Sequence, residues 1–310
     1  MKFFHYKKMM FLLIITINIC FYSCFPEDEY LYDIYQSTET DFTVTITSDS
    51  LQRQFRVHLP PAAITSTQIL PAVIVFHGAG DTAHDFQFWT RFDSIADSLG
   101  FIMIYPYSFA YYWVEDIIDS PEGVELDDII FSADIINYGI ENLNFDADNI
   151  FIAGYSSGGL FAHRMASDLK DHVAAYATYG ATMSSVTYTK CTEANNVPVM
   201  MMIGTNDEAI PWNGSNPNSI NFNPDYYYMS QDQTLERVLL HNNCSITDST
   251  ITYINENPDF IVVRIEKFHN SANEVLVENY KIIGALHRWY YGDIIPEKEM
   301  LHFFARFTGR

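Results

Sequence analysis

Gly154-Tyr155-Ser156-Ser157-Gly158 lies between an apolar, β-branched run, Asn149-Ile150-Phe151-Ile152-Ala153, and the helical pattern Gly159-Leu160-Phe161-Ala162-His163-Arg164-Met165-Ala166. The run reads as a buried strand and the pattern as a helix packed on it, so Ser156 stands on a strand-to-helix turn. Such a turn is tight and its backbone strained. Side chains two positions before or after the serine would collide, and glycine occupies both places, Gly154 and Gly158. In this setting a Gly-x-Ser-x-Gly match marks a serine raised for nucleophilic attack.

Strand and helix patterns alternate on both sides of that unit. Residues 42–47 and 55–59 alternate apolar and polar and form an expected antiparallel pair at a sheet edge. The continuous apolar runs 72–76, 101–105, 149–153, 173–177 and 197–203 are expected strands buried on both faces. Helices are expected at 92–99, 127–143 and 159–166, a less regular β-rich stretch at 251–253, 260–265 and 275–283, and a closing helix at 300–307. This order predicts an α/β class fold, a mostly parallel central sheet with right-handed crossovers and helices on both faces.

The chain begins with Lys2, Lys7 and Lys8 and no acid, followed by an apolar run from Met9 to Cys20, which is short for a bilayer span and reads as an export signal. Ser23-Cys24 resembles a lipobox, so Cys24 is the expected lipidation site and membrane attachment would be through a lipid anchor. The expected organisation is a signal at 1–23, an acidic tether at 24–40 and a catalytic domain at 41–310. Acidic residues after the cysteine resemble a surface-export signal, which suggests an outer-membrane lipoprotein facing the periplasm or the cell exterior. Loss of the three signal lysines takes the formal charge from −22 to −25, which argues against nucleic acid as a partner. In an oxidising compartment Cys191 and Cys244 form a candidate disulfide, the alternative being two unpaired thiols. No residue pattern calls for a cofactor or a metal, and none speaks to oligomeric state.

A serine hydroxyl needs an imidazole to take its proton, and the imidazole needs a carboxylate to fix its tautomer. In open α/β sheets these groups sit in loops after strand C-termini. Asp207 leaves a buried strand through Gly204, and His287 follows the last expected strand after Gly284. His302, His269 and His163 compete for the imidazole role, and Glu208, Asp225 and Asp232 for the carboxylate; none of them has the same position after a strand. The resulting order, Ser156, Asp207, His287, is the Ser…Asp…His order of α/β-hydrolases. Two N–H donors are needed for the oxyanion, one expected from Ser157 and the other from Ala79 or Gly78 in the His77-Gly78-Ala79-Gly80 loop.

Several landmarks in order carry a wider likeness: Phe55-Arg56-Val57-His58-Leu59-Pro60, residues 71–80 and 100–106, Asp127-Asp128 with Phe131, the serine turn, residues 198–214 including Asp207-Glu208-Ala209-Ile210-Pro211, Asn243-Cys244, and 284–289. Together they resemble the polyhydroxybutyrate-depolymerase and feruloyl-esterase branch of the α/β-hydrolases, a carbohydrate esterase-like group. The resemblance implies the α/β-hydrolase fold and a serine esterase of exported substrates, polyester chains or acetyl and feruloyl groups on plant polysaccharide. Tyr155, the His77–Gly80 loop and Leu286-His287-Arg288-Trp289 depart from the pattern. Trp113, Tyr112, Trp212 and Trp289 are the expected substrate-binding aromatics, able to stack on a sugar or phenolic group. The alternatives are a polyester depolymerase or serine peptidase of the same fold and a non-catalytic glycan-binding lipoprotein.

Overall fold

The structure is a computed structural model and describes residues 39–309 apart from 66–67, 117, 120–124, 193, 216–225 and 258. The expected signal, Cys24 and most of the tether lie outside the described residues. The chain order is β1 (Asp41–Ser48), β2 (Leu51–His58), α1 (Pro61–Thr65), β3 (Leu70–Phe76), α2 (Ala83–Thr90), α3 (Phe92–Leu99) and β4 (Ile102–Pro106). A short pair, β5 (Ile118–Asp119) and β6 (Glu125–Leu126), leads into α4 (Asp128–Asn142), β7 (Phe145–Tyr155), α5 (Ser157–Asp168), β8 (Ala175–Tyr179), α6 (Ser185–Lys190) and β9 (Val199–Gly204). The last part holds α7 (Gln231–His241), β10 (Cys244–Ile254), β11 (Val262–Asn270), β12 (Val275–Ile283) and α8 (Pro296–Ala305).

Ten strands form one sheet in the order β1-β2-β4-β3-β7-β8-β9-β12-β11-β10. Its centre, from β4 to β12, is parallel throughout. Antiparallel strands close both ends, β1 and β2 on one side and β11 and β10 on the other. The expected mostly parallel sheet is therefore present at the centre, inside a mixed frame.

The apolar runs are continuous because the parallel strands are covered on both faces. Ala72, Ile74 and Phe76 of β3 join one core with Phe131 and Ile135 of α4 and Phe161 and Met165 of α5. The alternate residues Val73 and Val75 join a second core with Phe86 of α2, Phe92 and Ala96 of α3, and Met300, Phe303 and Phe304 of α8. Period-two alternation along a single strand thus sorts side chains into two layers. The layers hold the strand ends in register, and the loops beyond those ends build the site.

Two expectations are corrected here. Cys191 and Cys244 are free thiols, the first buried and the second half-buried. Cys191 caps the C-terminus of α6, while the Cys244 thiol, at the start of β10, faces the Asn242 and Phe268 carbonyls. No disulfide joins them. Three of the four expected binding aromatics also go to packing. Trp113 is buried against Phe76 and Phe161, Trp289 against Tyr179, and Trp212 beneath the Lys281 ammonium. The indole N–H groups of Trp113 and Trp289 donate to the His77 carbonyl and to Glu297, which accounts for their burial. Tyr112 alone among the four is exposed.

Candidate active site

Ser156 sits between β7 and α5 with φ 54° and ψ −119°, a conformation that a non-glycine residue adopts only when its surroundings enforce it. Close packing does so here. A Cβ on Gly154 would stand 2.1 Å from the Gly158 carbonyl oxygen, and one on Gly158 would stand 2.2 Å from that of Phe76. The Ser156 N–H donates to the Tyr179 carbonyl of β8 at 2.9 Å, pinning the turn to the next strand. Sheet and helix together force the hydroxyl outward at the C-terminal rim.

Asp207 and His287 reach the same rim from the ends of β9 and β12. His287 Nε2 lies 2.9 Å from Ser156 Oγ, and His287 Nδ1 lies 2.6 Å from Asp207 Oδ2. The other carboxylate oxygen accepts the N–H groups of Ala209 at 3.0 Å and Ile210 at 2.8 Å. Asp207 is buried and can only accept, so the imidazole proton belongs on Nδ1 and the lone pair on Nε2 faces the serine. Tyr155 stacks on the imidazole with ring centroids 5.4 Å apart and an interplanar angle of 21°. Burial, and then the Asp207 charge, push the Tyr155 phenol up to about 12, so it remains a neutral platform.

The loop after β3 lies directly over the serine: a Cβ on Gly78 would be 3.0 Å from the Tyr155 ring and 3.4 Å from Ser156 Cβ. Beneath it His77 is buried, and burial pulls its imidazole below the usual histidine range, leaving it neutral. Nε2 accepts the Ser108 N–H at 3.4 Å, so Nδ1 carries the proton and donates to the Gly78 carbonyl at 2.8 Å. In a trans peptide the C=O and the following N–H point in opposite directions, so turning the Gly78 carbonyl toward His77 turns the Ala79 N–H the other way. Ser157 opens α5, and the N–H groups of a first helical turn have no acceptor within their helix.

The structure thus brings Ser156, His287 and Asp207 into one hydrogen-bonded line and sets Gly78 and Ser157 beside the serine. The competing histidines stand elsewhere: His163 is buried against Tyr176, and His269 pairs with Asp248 at a sheet edge. Among the described residues the group with metal-ligand spacing is Asp41, His58 and Asp93, on β1, β2 and α3. There His58 Nδ1 meets Asp41 at 3.0 Å and Nε2 meets Asp97 at 3.0 Å, so the imidazole itself fills the space among the carboxylates. Glu115, a buried carboxylate near the rim, had no sequence signal; it is one acid at the end of an aromatic stretch.

The solved acetyl xylan esterase from Aspergillus awamori superposes with a TM-score of 0.59 at 12% identity, over 85% of this chain and 98% of that one. The chain has the α/β-hydrolase fold. Residues 119–219 match the dienelactone hydrolase family, a stretch that holds Ser156 and Asp207. Feruloyl esterase B of Neurospora crassa is 37% identical over 113 residues, 35% of this chain and 38% of that protein. The bifunctional acetylxylan esterase/xylanase XynS20E of Neocallimastix patriciarum is 24% identical over 170 residues, 53% of this chain and 23% of that protein. The chain spans less than half the length of the curated relatives it matches.

Proposed function

We propose that this chain is an exported serine esterase that cleaves acetyl or feruloyl esters on plant polysaccharide. The observation that carries the reading is the unbroken path Asp207–His287–Ser156, with contacts of 2.6 and 2.9 Å. His287 Nε2 takes the Ser156 proton as Oγ attacks the ester carbonyl carbon. Asp207 holds the tautomer and stabilises the imidazolium that forms. The carbonyl oxygen, now negative, is received by the Ser157 and Ala79 N–H groups. The imidazolium returns its proton to the departing alcohol, and an acyl group remains on Ser156. Water activated by the same imidazole then releases the acid and restores the serine.

The polysaccharide assignment draws on the feruloyl and acetylxylan esterases among the relatives. Export with a lipid anchor on Cys24 draws on the basic, then apolar, first residues and the serine before the cysteine. The test is hydrolysis of p-nitrophenyl acetate, methyl ferulate and acetylated xylan by the wild type and by Ser156→Ala. Turnover that falls by roughly 10⁴-fold or more on the substitution is expected. Equal activity of the two proteins would remove Ser156 as the nucleophile.

A further inference from the structure

A small buried apolar cluster packs beside all three members of the hydrogen-bonded line. Leu160, Ala181 and Ile210 pack together with the half-buried Tyr228. The Leu160 N–H donates to the Ser156 carbonyl at 3.0 Å, and the Ile210 N–H donates to Asp207 at 2.8 Å. Ala181 follows Gly180, where a Cβ would stand 3.3 Å from the His287 ring. Of this cluster Tyr228 alone is half-buried and has surface to offer a group bound at the serine. Among the described residues the Tyr228 hydroxyl has no hydrogen-bond partner, although its backbone is held on both sides. Its N–H donates to Ser215 Oγ at 2.8 Å, and the residue forms a β-bridge with Ser184.

Behind Tyr228 lies Glu115, 6% exposed. One oxygen accepts the Ser184 hydroxyl at 2.5 Å and also that of Thr187. The other accepts the Tyr226 hydroxyl at 2.7 Å, and the Tyr226 ring meets Tyr228 edge to face at 5.9 Å. Three hydroxyl donors, and among the described residues no cation, satisfy this buried acid, a costly arrangement unless the carboxylate organises something. It ties together the loop after β4, the start of α6 and the 226–228 segment. Burial, and then the charges of Glu115 and Asp207, push the Tyr228 phenol up, so it stays protonated and can donate.

We propose that Tyr228, set in place by the buried Glu115 hub, is a specificity-determining residue that hydrogen-bonds a hydroxyl on a ring of the substrate held at Ser156. The proposal rests on the esterase reading above. Two sources share this chemistry, a phenolic acyl group and the sugar ring of the alcohol. The quantity to measure is the ratio of kcat/KM on a hydroxylated ester to that on its deoxy counterpart. One pair is methyl p-coumarate against methyl cinnamate; the other is a methyl xyloside monoacetate against cyclohexyl acetate.

In Tyr228→Phe one of the two ratios is expected to fall about tenfold, mainly through KM, and the pair affected names the source. Glu115→Gln turns an amide toward groups that must donate, so it should lower the same ratio while Tyr228 is intact. A Tyr228→Phe protein with both ratios at the wild-type value would overturn the proposal. So would a Glu115→Gln protein that is folded by circular dichroism and keeps both ratios. A wild type inert on p-nitrophenyl acetate would instead overturn the esterase reading, and the proposal with it.

Discussion

At the residue scale the site depends on which atom of His287 holds a proton. Asp207 fixes this because both of its oxygens accept: one takes two backbone N–H groups and the other takes Nδ1. Asp207→Asn would keep its amide oxygen on the Ala209 and Ile210 N–H groups and turn its NH₂ toward the imidazole. Nδ1 must then accept, the proton moves to Nε2, and Ser156 loses its base. A fall in kcat of about 10³- to 10⁴-fold, with KM changed far less, is the expected result in steady-state assays. The glycines make a different prediction, one of stability. Gly158→Ala sets a methyl 2.2 Å from a backbone oxygen that cannot rotate away, so the turn itself must move. The cost should reach about 3 kcal/mol or more by denaturant titration. Both the serine and its flanking glycines were legible in the sequence because a tight turn leaves a local signature. Glu115 was not, because its donors come from residues 69 to 111 positions away in the chain.

At the element scale the outer edge β1–β2 is fastened to α3 through one histidine. His58 has a carboxylate on each ring nitrogen, Asp41 from β1 and Asp97 from α3, with Asp93 close by. Gln87 of α2 bonds Asp41 and Asp93, and Tyr105 of β4 donates to Asp93. Both imidazole nitrogens can donate only in the charged form. Burial alone would lower the His58 pKa, but the bond to Asp41, the charge of Asp93 and the bond to Asp97 outweigh it and raise the value to about 9. A folded pKa above the unfolded 6.5 means that the folded state holds the proton longer. The stabilisation is thus complete below about pH 6.5 and disappears as pH rises through about 9. Thermal midpoints should fall across that window, and His58→Gln should flatten the slope there; equal slopes would show that another group titrates. Among the missed elements, α7 was readable in principle, since Ser230 and Gln233 form a reciprocal capping box at its start. The short helices α1, α2 and α6 lacked an apolar stripe long enough to register against their surroundings.

For the whole molecule, the parallel centre could be read because buried strands are written as unbroken apolar runs, whereas the β10–β12 ribbon was only partly seen. Most of β10 faces solvent, so its sequence alternates weakly, and its length follows from pairing with β11 rather than from its own residues. Aromatic residues misled for a related reason: a tryptophan beside a site and one beneath it have the same letter, and only packing separates them. Charge is the property that acts across all elements at once. With 39 acidic against 17 basic residues, the folded chain repels itself over distances longer than any single ion pair. Screening shortens from about 30 Å at 0.01 M salt to about 8 Å at 0.15 M, less than the span of the sheet. The thermal midpoint at pH 7 should therefore rise by several degrees between those two concentrations and change less above them. Choline chloride and sodium chloride at equal ionic strength should act alike, because screening depends on ionic strength and not on ion identity. A midpoint that moves only with sodium would mean that specific cation binding acts instead of screening, and one that stays flat would mean that local pairs such as Arg53–Asp128 and Arg306–Glu278 already neutralise the field where the fold is weakest.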